Sequence, residues 1–352
     1  MKFYNYKPIR LIELFAGIGS QAKALKNLGI NFEHWNVCEF DEHAIRSYNA
    51  VHGTNFATSD VTKITAADLN IVDTDRFTYL LTYSFPCQDL SNSGKGAGME
   101  KGSGTRSGLL WEVERLLNEC DELPQVLLME NVPQVHGKKN IEHFNKWIEF
   151  LESKGYSNHW KDLNSKDYGI AQSRNRCYMV SILGEYSYEF PKPIELKSTL
   201  KNVVETEVDE KFYLSVGKLH TIHNWNSLER PLEKVYGKNS IARTLTTRSG
   251  AECGSLTTYS EQFEETTNIV PLLEKTSEVQ SLRIRKLTPK EHWRLMGFAD
   301  IDFEKAEKVC SNSQLYKQAG NSIVVNVLMA IFKELFITDQ NRSDWLDALL
   351  RG

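Results

Sequence analysis

The sequence predicts an α/β protein whose larger part is a doubly wound parallel sheet and whose smaller part is mostly β or irregular. Three observations predict this architecture. Apolar strands alternate with amphipathic helices as far as about residue 185, which is typical of a parallel sheet covered by helices. A glycine turn at residues 16–20 directly follows the first strand. After the Phe-Pro-Lys-Pro sequence at 190–193 the periodicity breaks down, as expected of a linker.

The composition is ordinary for a soluble globular enzyme. With 352 residues the chain can bury a large core, and we expect two domains. We find no apolar signal region at the N-terminus and expect no membrane span. The six cysteines are scattered without a C-x-x-C pair, so we expect neither a metal site nor a disulfide framework. A net charge of −4 means that any nucleic-acid surface must be local.

The first two predicted strands carry a nucleoside-binding pattern. The strand 9–15 enters the glycine turn, and a helix follows it. The second strand, 35–40, contains Glu39, twenty residues after Gly19. A carboxylate at that position can accept hydrogen bonds from ribose hydroxyls. The pattern predicts a cofactor that contains a nucleoside without specifying which one, so a nicotinamide or flavin stays open.

The fourth predicted strand leads to a cysteine at its carboxyl end. A third strand leads to Asp60-Val61, and the apolar run 79–81 belongs to the fourth. Pro86 cannot continue a strand ladder, so the chain leaves the sheet there and presents Cys87. Open α/β sheets bind ligands at that edge. Cys87 is therefore either a nucleophile or a buried structural cysteine.

A long basic loop follows Cys87. It extends from Ser91 to Gly108, is rich in glycine, and contains Lys95 and Arg106. Loops of this length in a compact domain are usually functional or disordered. If Cys87 is a nucleophile, the loop is suited to act as a lid over an anionic substrate.

Charged residues also follow the later predicted strands. Glu130 comes directly after the apolar run 126–129, where it is either a functional carboxylate or a solvated strand-end acid. Arg174 and Arg176 open the next strand, which we predict at 177–183. Side chains two apart on a strand face the same side. The two arginines therefore either point at one anion or form a solvated edge.

The region after the linker is less regular. Residues 194–282 show short β-like pieces, and within them 234–251 carries four cations and no acidic residue. Its threonines and serines can donate to phosphates or base edges, so the run is either a local nucleic-acid surface or simply a solvated basic surface. A capping box at 288–291 opens a short helix, and we expect an apolar helix to begin at Gly320-Asn321-Ser322.

Together these pieces resemble the cytosine-5 DNA methyltransferases of bacterial and phage type. The family's motifs occur in order as Phe15-Ala16-Gly17-Ile18-Gly19, Glu39, Asp60-Val61, Phe85-Pro86-Cys87-Gln88, Glu130-Asn131-Val132, Gln172-x-Arg174-x-Arg176, Arg285 to Glu291 and Gly320-Asn321-Ser322. The resemblance covers residues 9–336 and leaves 194–282 without a family pattern. The departures are Ser84, where the family often has glycine, and Phe40, where it often has another large residue.

The resemblance implies a domain organisation and a set of partners. A Rossmann-like, S-adenosylmethionine-binding catalytic domain would occupy 1–190, and a target-recognition domain with a hinge would occupy 191–310. The C-terminal helix, within 311–352, would return to the catalytic domain. Double-stranded DNA is the implied partner, in a restriction–modification setting where any cognate endonuclease forms no stable complex. We expect a cytoplasmic monomer of prokaryotic or phage origin.

The resemblance also implies roles for individual residues. Cys87 would add to C6 of a flipped-out cytosine, Glu130 would hold ring N3 and the exocyclic amine, and Arg176 would bind O2. Arg174 would lie near the nucleophile and the DNA backbone. S-adenosylmethionine would be bound by Phe15, Ala16, Gly17, Ile18, Gly19, Glu39, Phe40, Asp60, Val61, Ser84, Pro86, Gln88, Asn321 and Ser322. DNA would be bound by Gln88, Ser91, Lys95, Arg106, Arg243, Thr244 and Arg248.

Three alternatives stay open. The first is an RNA cytosine methyltransferase on the same scaffold, such as a tRNA-modifying enzyme. The second is a nicotinamide-dependent oxidoreductase, which only Gly17-x-Gly19 and Glu39 favour. The third is a DNA-binding protein without activity, which the joint presence of Cys87, Glu130 and Arg176 disfavours.

Overall fold

The structure is a computed structural model, and it describes residues 3, 5, 7–87, 90, 98–102, 104–215, 217, 219, 234–247, 257–268 and 283–337. The chain divides into two compact units. Unit 1 consists of 1–163, 175–192 and 327–352, and unit 2 consists of 164–174 and 193–326. The functional domains expected at 1–190, 191–310 and 311–352 stay a prediction, since compactness alone assigns no function to a segment.

The elements mostly alternate between strand and helix in the first half of the chain, and the described strands after residue 183 are two residues long. The helices are α1 (Ser20–Asn27), α2 (Glu42–His52), α3 (Ala66–Leu69), α4 (Leu110–Glu119), α5 (Ile141–Ser153), α6 (Pro289–Arg294), α7 (Asp300–Ala306), α8 (Asn312–Asn321) and α9 (Val325–Phe336). The strands are β1 (Ile9–Leu14), β2 (Phe32–Cys38), β3 (Thr78–Tyr83), β4 (Val126–Asn131), β5 (Tyr156–Asn164), β6 (Gln172–Ser173), β7 (Asn175–Leu183), β8 (Lys234–Val235), β9 (Ala242–Arg243), β10 (Thr258–Tyr259), β11 (Thr267–Asn268) and β12 (Arg285–Lys286).

Unit 1 is built on a six-stranded sheet with the order β2-β1-β3-β4-β7-β5. The strand order reverses at β1, because β2 pairs with one of its edges and β3 with the other, both in parallel. β4 pairs in parallel with β3, and β7 runs antiparallel to β4. The predicted fold class is confirmed, with the correction that the sheet is mostly rather than wholly parallel. Apolar periodicity could not distinguish the direction of β7, since any buried strand shows a similar apolar run.

Most predicted strands of unit 1 are present, but the one leading to Asp60 is not. Residues 54–60 form no strand. The Asn49 side chain binds this stretch instead: its Oδ1 accepts the Phe56 N–H at 2.9 Å, and its Nδ2 donates to the Phe56 carbonyl at 2.8 Å. Because a side chain on α2 satisfies these backbone groups, the segment needs no neighbouring strand.

The described residues of unit 2 form three two-stranded pairings, β10 with β12, β11 with β8, and β6 with β9. The predicted capping box is present, with the Thr288 hydroxyl accepting the Glu291 N–H. The prediction that an apolar helix begins at Gly320 is wrong: α8 ends at Asn321, and α9 begins at Val325. The Ser322 hydroxyl donates to the Gln318 carbonyl at 2.8 Å, which satisfies one of the carbonyls that a helix end leaves without a partner.

Among the described residues, one helical stretch passes a length and composition test for a membrane span, although the sequence predicted none. It is Asn312–Phe336, with a mean hydropathy of 1.4 in its most apolar window. Of that window, 78% is buried inside the protein. The helix is also interrupted at residues 322–324. A core helix passes the same test, and this burial identifies the stretch as core.

Candidate active site

The turn that presents Cys87 is fixed by hydrogen bonds to the carbonyls of the two residues before it. The Asn131 side chain donates to the Phe85 carbonyl at 2.9 Å, and the Ser107 hydroxyl donates to the Pro86 carbonyl at 2.7 Å. Phe85 is itself buried, so the turn is anchored in the core. Cys87 is partly exposed just beyond the end of β3. This placement favours a reactive thiol over a buried structural cysteine.

Two other cysteines of unit 1 show the contrast. Cys38 and Cys177 are almost fully buried. Burial raises the pKa of Cys38 to about 11 and raises the pKa of Cys177 further. A raised pKa disfavours the thiolate, so these two thiols are suited to packing rather than to nucleophilic attack.

Glu130 and Arg176 form an ion pair between neighbouring strands. The Arg176 Nε lies 3.2 Å from the Glu130 Oε1, and both side chains are largely buried. Glu130 lies opposite Tyr178 in the β4–β7 register, so Arg176 is its diagonal neighbour on the same face. The structure therefore places a carboxylate and a guanidinium side by side, as the predicted base-holding roles require.

The glycine turn and Glu39 are joined directly. The Gly17 N–H donates to one Glu39 carboxylate oxygen at 2.8 Å, and the Asp41 N–H donates to the other at 2.8 Å. Burial raises the pKa of Glu39. Phe15, Gly17 and Gly19 all have positive φ, so the turn is left-handed at three alternate positions. A Cβ built on Gly17 would meet nothing within 4 Å, so open space adjoins the turn.

The remaining predicted cofactor residues of unit 1 have mixed exposure. Ala16, Ile18 and Val61 are buried, while Ser84 and Pro86 are partly exposed. These residues stay predicted cofactor contacts.

Two further predicted cofactor residues have contrasting surroundings. Phe40 is 79% exposed, which is unusual for a phenylalanine and leaves its ring open to a planar partner. The Asp60 carboxylate accepts the backbone N–H and the hydroxyl of Thr62, and this lowers its pKa.

Arg174 has a different environment from Arg176. It is 4% exposed and belongs to unit 2, where it donates to the carbonyls of Leu245, Gly320 and Ser322. The alternative of a solvated edge is wrong for Arg174, and its contacts with backbone carbonyls differ from a single anion shared with Arg176. Of the two predicted cofactor residues in the same unit, Asn321 is exposed and Ser322 is buried.

The predicted DNA contacts are only partly covered by the structure. Arg106 is exposed at the start of the 3₁₀ turn Arg106–Leu109. Arg243 is partly exposed on β9, and the Thr244 hydroxyl donates to the Ser173 carbonyl at 2.7 Å. Four predicted site residues lie outside the described residues: Gln88, Ser91, Lys95 and Arg248. The roles of all these residues stay predictions.

A family model described as "C-5 cytosine-specific DNA methylase" matches residues 9–337. The chain belongs to this family.

Curated relatives in the family match almost the whole chain. The chain is 31% identical to type II methyltransferase M2.ScrFI of Lactococcus lactis subsp. cremoris, over 93% of this chain and 99% of the relative. It is also 31% identical to orphan methyltransferase M.SssI of Spiroplasma monobiae, over 94% of this chain and 97% of the relative. The resemblance predicted from the motifs is confirmed.

Solved structures show the same fold at low sequence identity. The Entamoeba histolytica methyltransferase EhMeth superposes with a TM-score of 0.75 at 20% identity, covering 94% of this chain and 98% of that one. The Schizosaccharomyces pombe Dnmt2 methyltransferase gives 0.72 at 22% identity, covering 93% and 97%. At this identity the likeness establishes the fold.

Two residues that position the site were missed by sequence reasoning. Asn131 lies within the family's Glu130-Asn131-Val132 motif, and its place in that motif could have indicated a role in the site. Ser107 had no sequence signal, because its contact with the Pro86 carbonyl spans twenty-one residues. Both act by fixing the turn that carries Cys87.

The described residues also contain a group of three potential metal ligands, His136, Asp162 and Cys177. Their ligand atoms lie within 4.8 Å of one another, and His136 Nε2 lies 3.0 Å from Asp162 Oδ1. Burial and the nearby carboxylates raise the pKa of Cys177, which opposes formation of a thiolate ligand. We assign no metal to this group.

Proposed function

We propose that this protein transfers a methyl group from S-adenosylmethionine to C5 of a flipped-out cytosine in a specific duplex DNA sequence. One observation carries the proposal. Asn131 binds the Phe85 carbonyl, and so joins the turn that presents Cys87 to the strand that presents Glu130. Since β3 and β4 are parallel neighbours, both residues lie at the carboxyl edge of the sheet. A nucleophile and a carboxylate held together at that edge suit covalent catalysis on a base.

The residues of unit 1 fit the cofactor. The left-handed glycine turn with open space above Gly17 allows close approach of a ligand to the backbone. Each Glu39 oxygen accepts one backbone N–H and keeps a further lone pair for a ribose hydroxyl. The exposed Phe40 ring offers a face for the adenine. Bound S-adenosylmethionine would supply an electrophilic methyl group, and the roles of Asn321 and Ser322 toward it rest on the resemblance.

The chemistry begins with Cys87. Cytosine C5 is too weak a nucleophile to accept a methyl group unaided, so the Cys87 thiolate adds to C6 and converts the ring to an enamine that is nucleophilic at C5. Glu130 holds N3 and the exocyclic amine and supplies a proton to N3 as the thiolate adds. After methyl transfer, loss of the C5 proton and β-elimination of the Cys87 thiolate release 5-methylcytosine.

Arg176 positions Glu130 in this scheme. Its ion pair with Oε1 holds the carboxyl group, and its guanidinium can bind the base O2. The base must leave the DNA stack to reach these groups, which costs a few kcal/mol. Arg106 is exposed and is suited to a phosphate contact that offsets part of that cost.

Methyl transfer measured with labelled S-adenosylmethionine tests the proposal. We expect label in random-sequence duplex DNA and none in tRNA, with 5-methylcytosine as the product. A Glu130→Gln variant should lower kcat about a hundredfold or more, the usual contribution of general acid catalysis. Transfer to tRNA but not to duplex DNA would support the RNA alternative and contradict the proposed substrate. Binding of a nicotinamide dinucleotide in place of S-adenosylmethionine would contradict the proposed cofactor.

A further inference from the structure

Arg174 binds a segment of unit 2 that the sequence analysis associates with DNA. We call residues 242–247 the recognition segment. The Arg174 Nη1 donates to the carbonyl of Leu245 in this segment at 2.8 Å. Its Nη2 donates to the carbonyls of Gly320 and Ser322, both at 3.0 Å. The guanidinium therefore joins the recognition segment to the end of α8.

Gln172 also binds Leu245, through the backbone N–H rather than the carbonyl. Its Oε1 accepts the Leu245 N–H at 3.0 Å, and its Nε2 donates to the Leu295 carbonyl at 2.8 Å. Gln172 is fully buried and Arg174 is almost so. Both backbone groups of Leu245 are thus held by buried side chains of one short motif. Losing a partner of a buried polar group costs more than losing an exposed hydrogen bond.

Two more contacts fix the segment on either side of Leu245. β6 pairs with β9 in parallel, so that Ser173 lies opposite Arg243. At the other side Gly320 approaches the backbone of the segment so closely that a Cβ would lie 2.5 Å from the Thr246 carbonyl oxygen. Only glycine fits such an approach without movement of the segment.

The recognition segment carries side chains that can contact DNA. Arg243 is partly exposed, and Thr247 is exposed. Arginine can bond guanine through O6 and N7, but only when the backbone sets its distance from the base edge. The residues that hold the segment are therefore able to control discrimination without touching a base.

We propose that Gln172, Arg174 and Gly320 are positioning residues for sequence recognition, which hold the recognition segment in the place from which it reads DNA. This rests on the proposed function. It gives Arg174 a role distinct from that of Arg176, although the two are separated by one residue. One short peptide thus carries Arg174, which holds the recognition segment, and Arg176, which holds the target base.

The test uses the full-length protein, saturating S-adenosylmethionine and a random-sequence duplex library in which methylated cytosines are read by sequencing. The variants are Arg174→Lys, Gln172→Glu and Gly320→Ala. Arg174→Lys weakens side-chain bonds to the segment. Gln172→Glu keeps an acceptor for the Leu245 N–H but loses the donor to the Leu295 carbonyl, which disturbs the side chain that holds Leu245. Gly320→Ala displaces the segment without removing any bond donor. The matched control is Ser173→Ala, which lies between the two motif residues and loses only a 3.2 Å bond from Asn164. Thermal unfolding checks that each variant is folded.

The readout is the ratio of methylation rates at the preferred site and at single-mismatch sites. We expect this ratio to fall about tenfold or more in all three variants, within the range that one mismatched base pair usually costs, and to stay unchanged in Ser173→Ala. A merely structural role would slow all sites by one factor and leave the ratio unchanged. That result in the folded variants would overturn the proposal. If Arg174→Lys does not fold, Gly320→Ala decides the outcome. Absence of DNA methylation by the unaltered protein would instead refute the proposed function.

Discussion

Arg176 and Arg174 are separated by one residue, yet they belong to regions of the molecule that use arginine differently. In unit 1, Arg176 pairs with the carboxylate of Glu130, an ionisable group at a sheet edge suited to ligand binding. In unit 2, Arg174 donates to three backbone carbonyls. A guanidinium paired with one carboxylate keeps other N–H donors with which it can bind a ligand. A guanidinium that holds three buried carbonyls cannot do so without leaving them without partners.

The partner of a motif residue therefore indicates its function better than the residue type does. Charged groups that pair with one another or remain partly exposed should control the rate of chemistry or ligand affinity. Buried polar groups that hold backbone or other buried groups should control position and stability. Substitutions at each kind of residue test this distinction.

The largest effect is expected at Cys87, the partly exposed thiol of unit 1. Cys87→Ala should lower turnover by about three orders of magnitude or more, since loss of a nucleophile removes the covalent pathway. DNA binding measured by gel shift should remain. The matched control is Cys120→Ala, a partly buried cysteine in which burial raises the thiol pKa to about 11. Substantial methylation by Cys87→Ala would remove the covalent mechanism.

A smaller effect is expected when Arg176 is replaced by lysine. Lysine keeps the charge but lacks the planar guanidinium that pairs with Glu130 and can also bind the base O2, so kcat should fall about ten- to a hundredfold, the equivalent of about 1.4–2.7 kcal/mol. Sequence preference should not change. Steady-state kinetics on one duplex and the library measurement above give the two readouts. A broadened preference in Arg176→Lys would break the distinction between the two arginines.

Glu39→Ala should weaken S-adenosylmethionine binding by about 1–3 kcal/mol, because ribose hydroxyls would lose a buried acceptor. Calorimetry measures this directly. Burial raises the pKa of Glu39, so acidification through that raised pKa protonates the carboxyl group and should weaken binding in the unaltered protein. The S-adenosylmethionine affinity of Glu39→Ala should lack the pH dependence that protonation of Glu39 causes. Equal affinities in the two proteins would remove Glu39 from the site.

The smallest catalytic effect is expected at Glu13, a buried acid of unit 1 that accepts the Tyr48 hydroxyl at 2.5 Å. Burial raises its pKa from 4.5 to about 7. The folded state therefore binds this proton more tightly than the unfolded state, and the resulting stability is lost as pH rises from 4.5 through about 7.

Comparison with Glu13→Gln isolates this effect. The free energy of unfolding of the unaltered protein, relative to Glu13→Gln, should fall across that pH window. The variant is needed because His52, whose pKa burial lowers to about 3, contributes in the opposite direction in both proteins. Denaturant unfolding at several pH values measures the difference. If the difference in the free energy of unfolding between the two proteins does not change with pH, the raised pKa of Glu13 is contradicted. A large loss of kcat in Glu13→Gln would contradict the distinction between positioning and reacting groups.

The sequence predicted those parts of the molecule that depend on local pattern. The apolar runs of β3 and β4, with Cys87 and Glu130 just at their ends, follow from burial and from the inability of Pro86 to continue a ladder. The strand expected before Asp60 failed because the Asn49 side chain satisfies that backbone. The direction of β7 was not accessible, because a buried strand shows a similar apolar pattern in either direction.

The contacts of Arg174 could not be predicted for a different reason. Its three acceptors lie 71, 146 and 148 residues further along the chain. No local periodicity encodes such pairings, and the guanidinium fork fits backbone carbonyls as well as anions. The motif identified the residue, and only the folded chain shows what it binds.

The central claim is that the Cys87 thiolate adds to C6 of the target cytosine, and trapping that adduct tests it most directly. Duplex DNA with 5-fluorocytosine at the target position should trap the protein in the presence of S-adenosylmethionine, because fluorine at C5 cannot leave as a proton does. We expect a protein–DNA species stable to denaturation, with the modified peptide containing Cys87, and none with Cys87→Ala. A protein that methylates ordinary duplex DNA but forms no adduct with the fluorinated duplex would contradict the account.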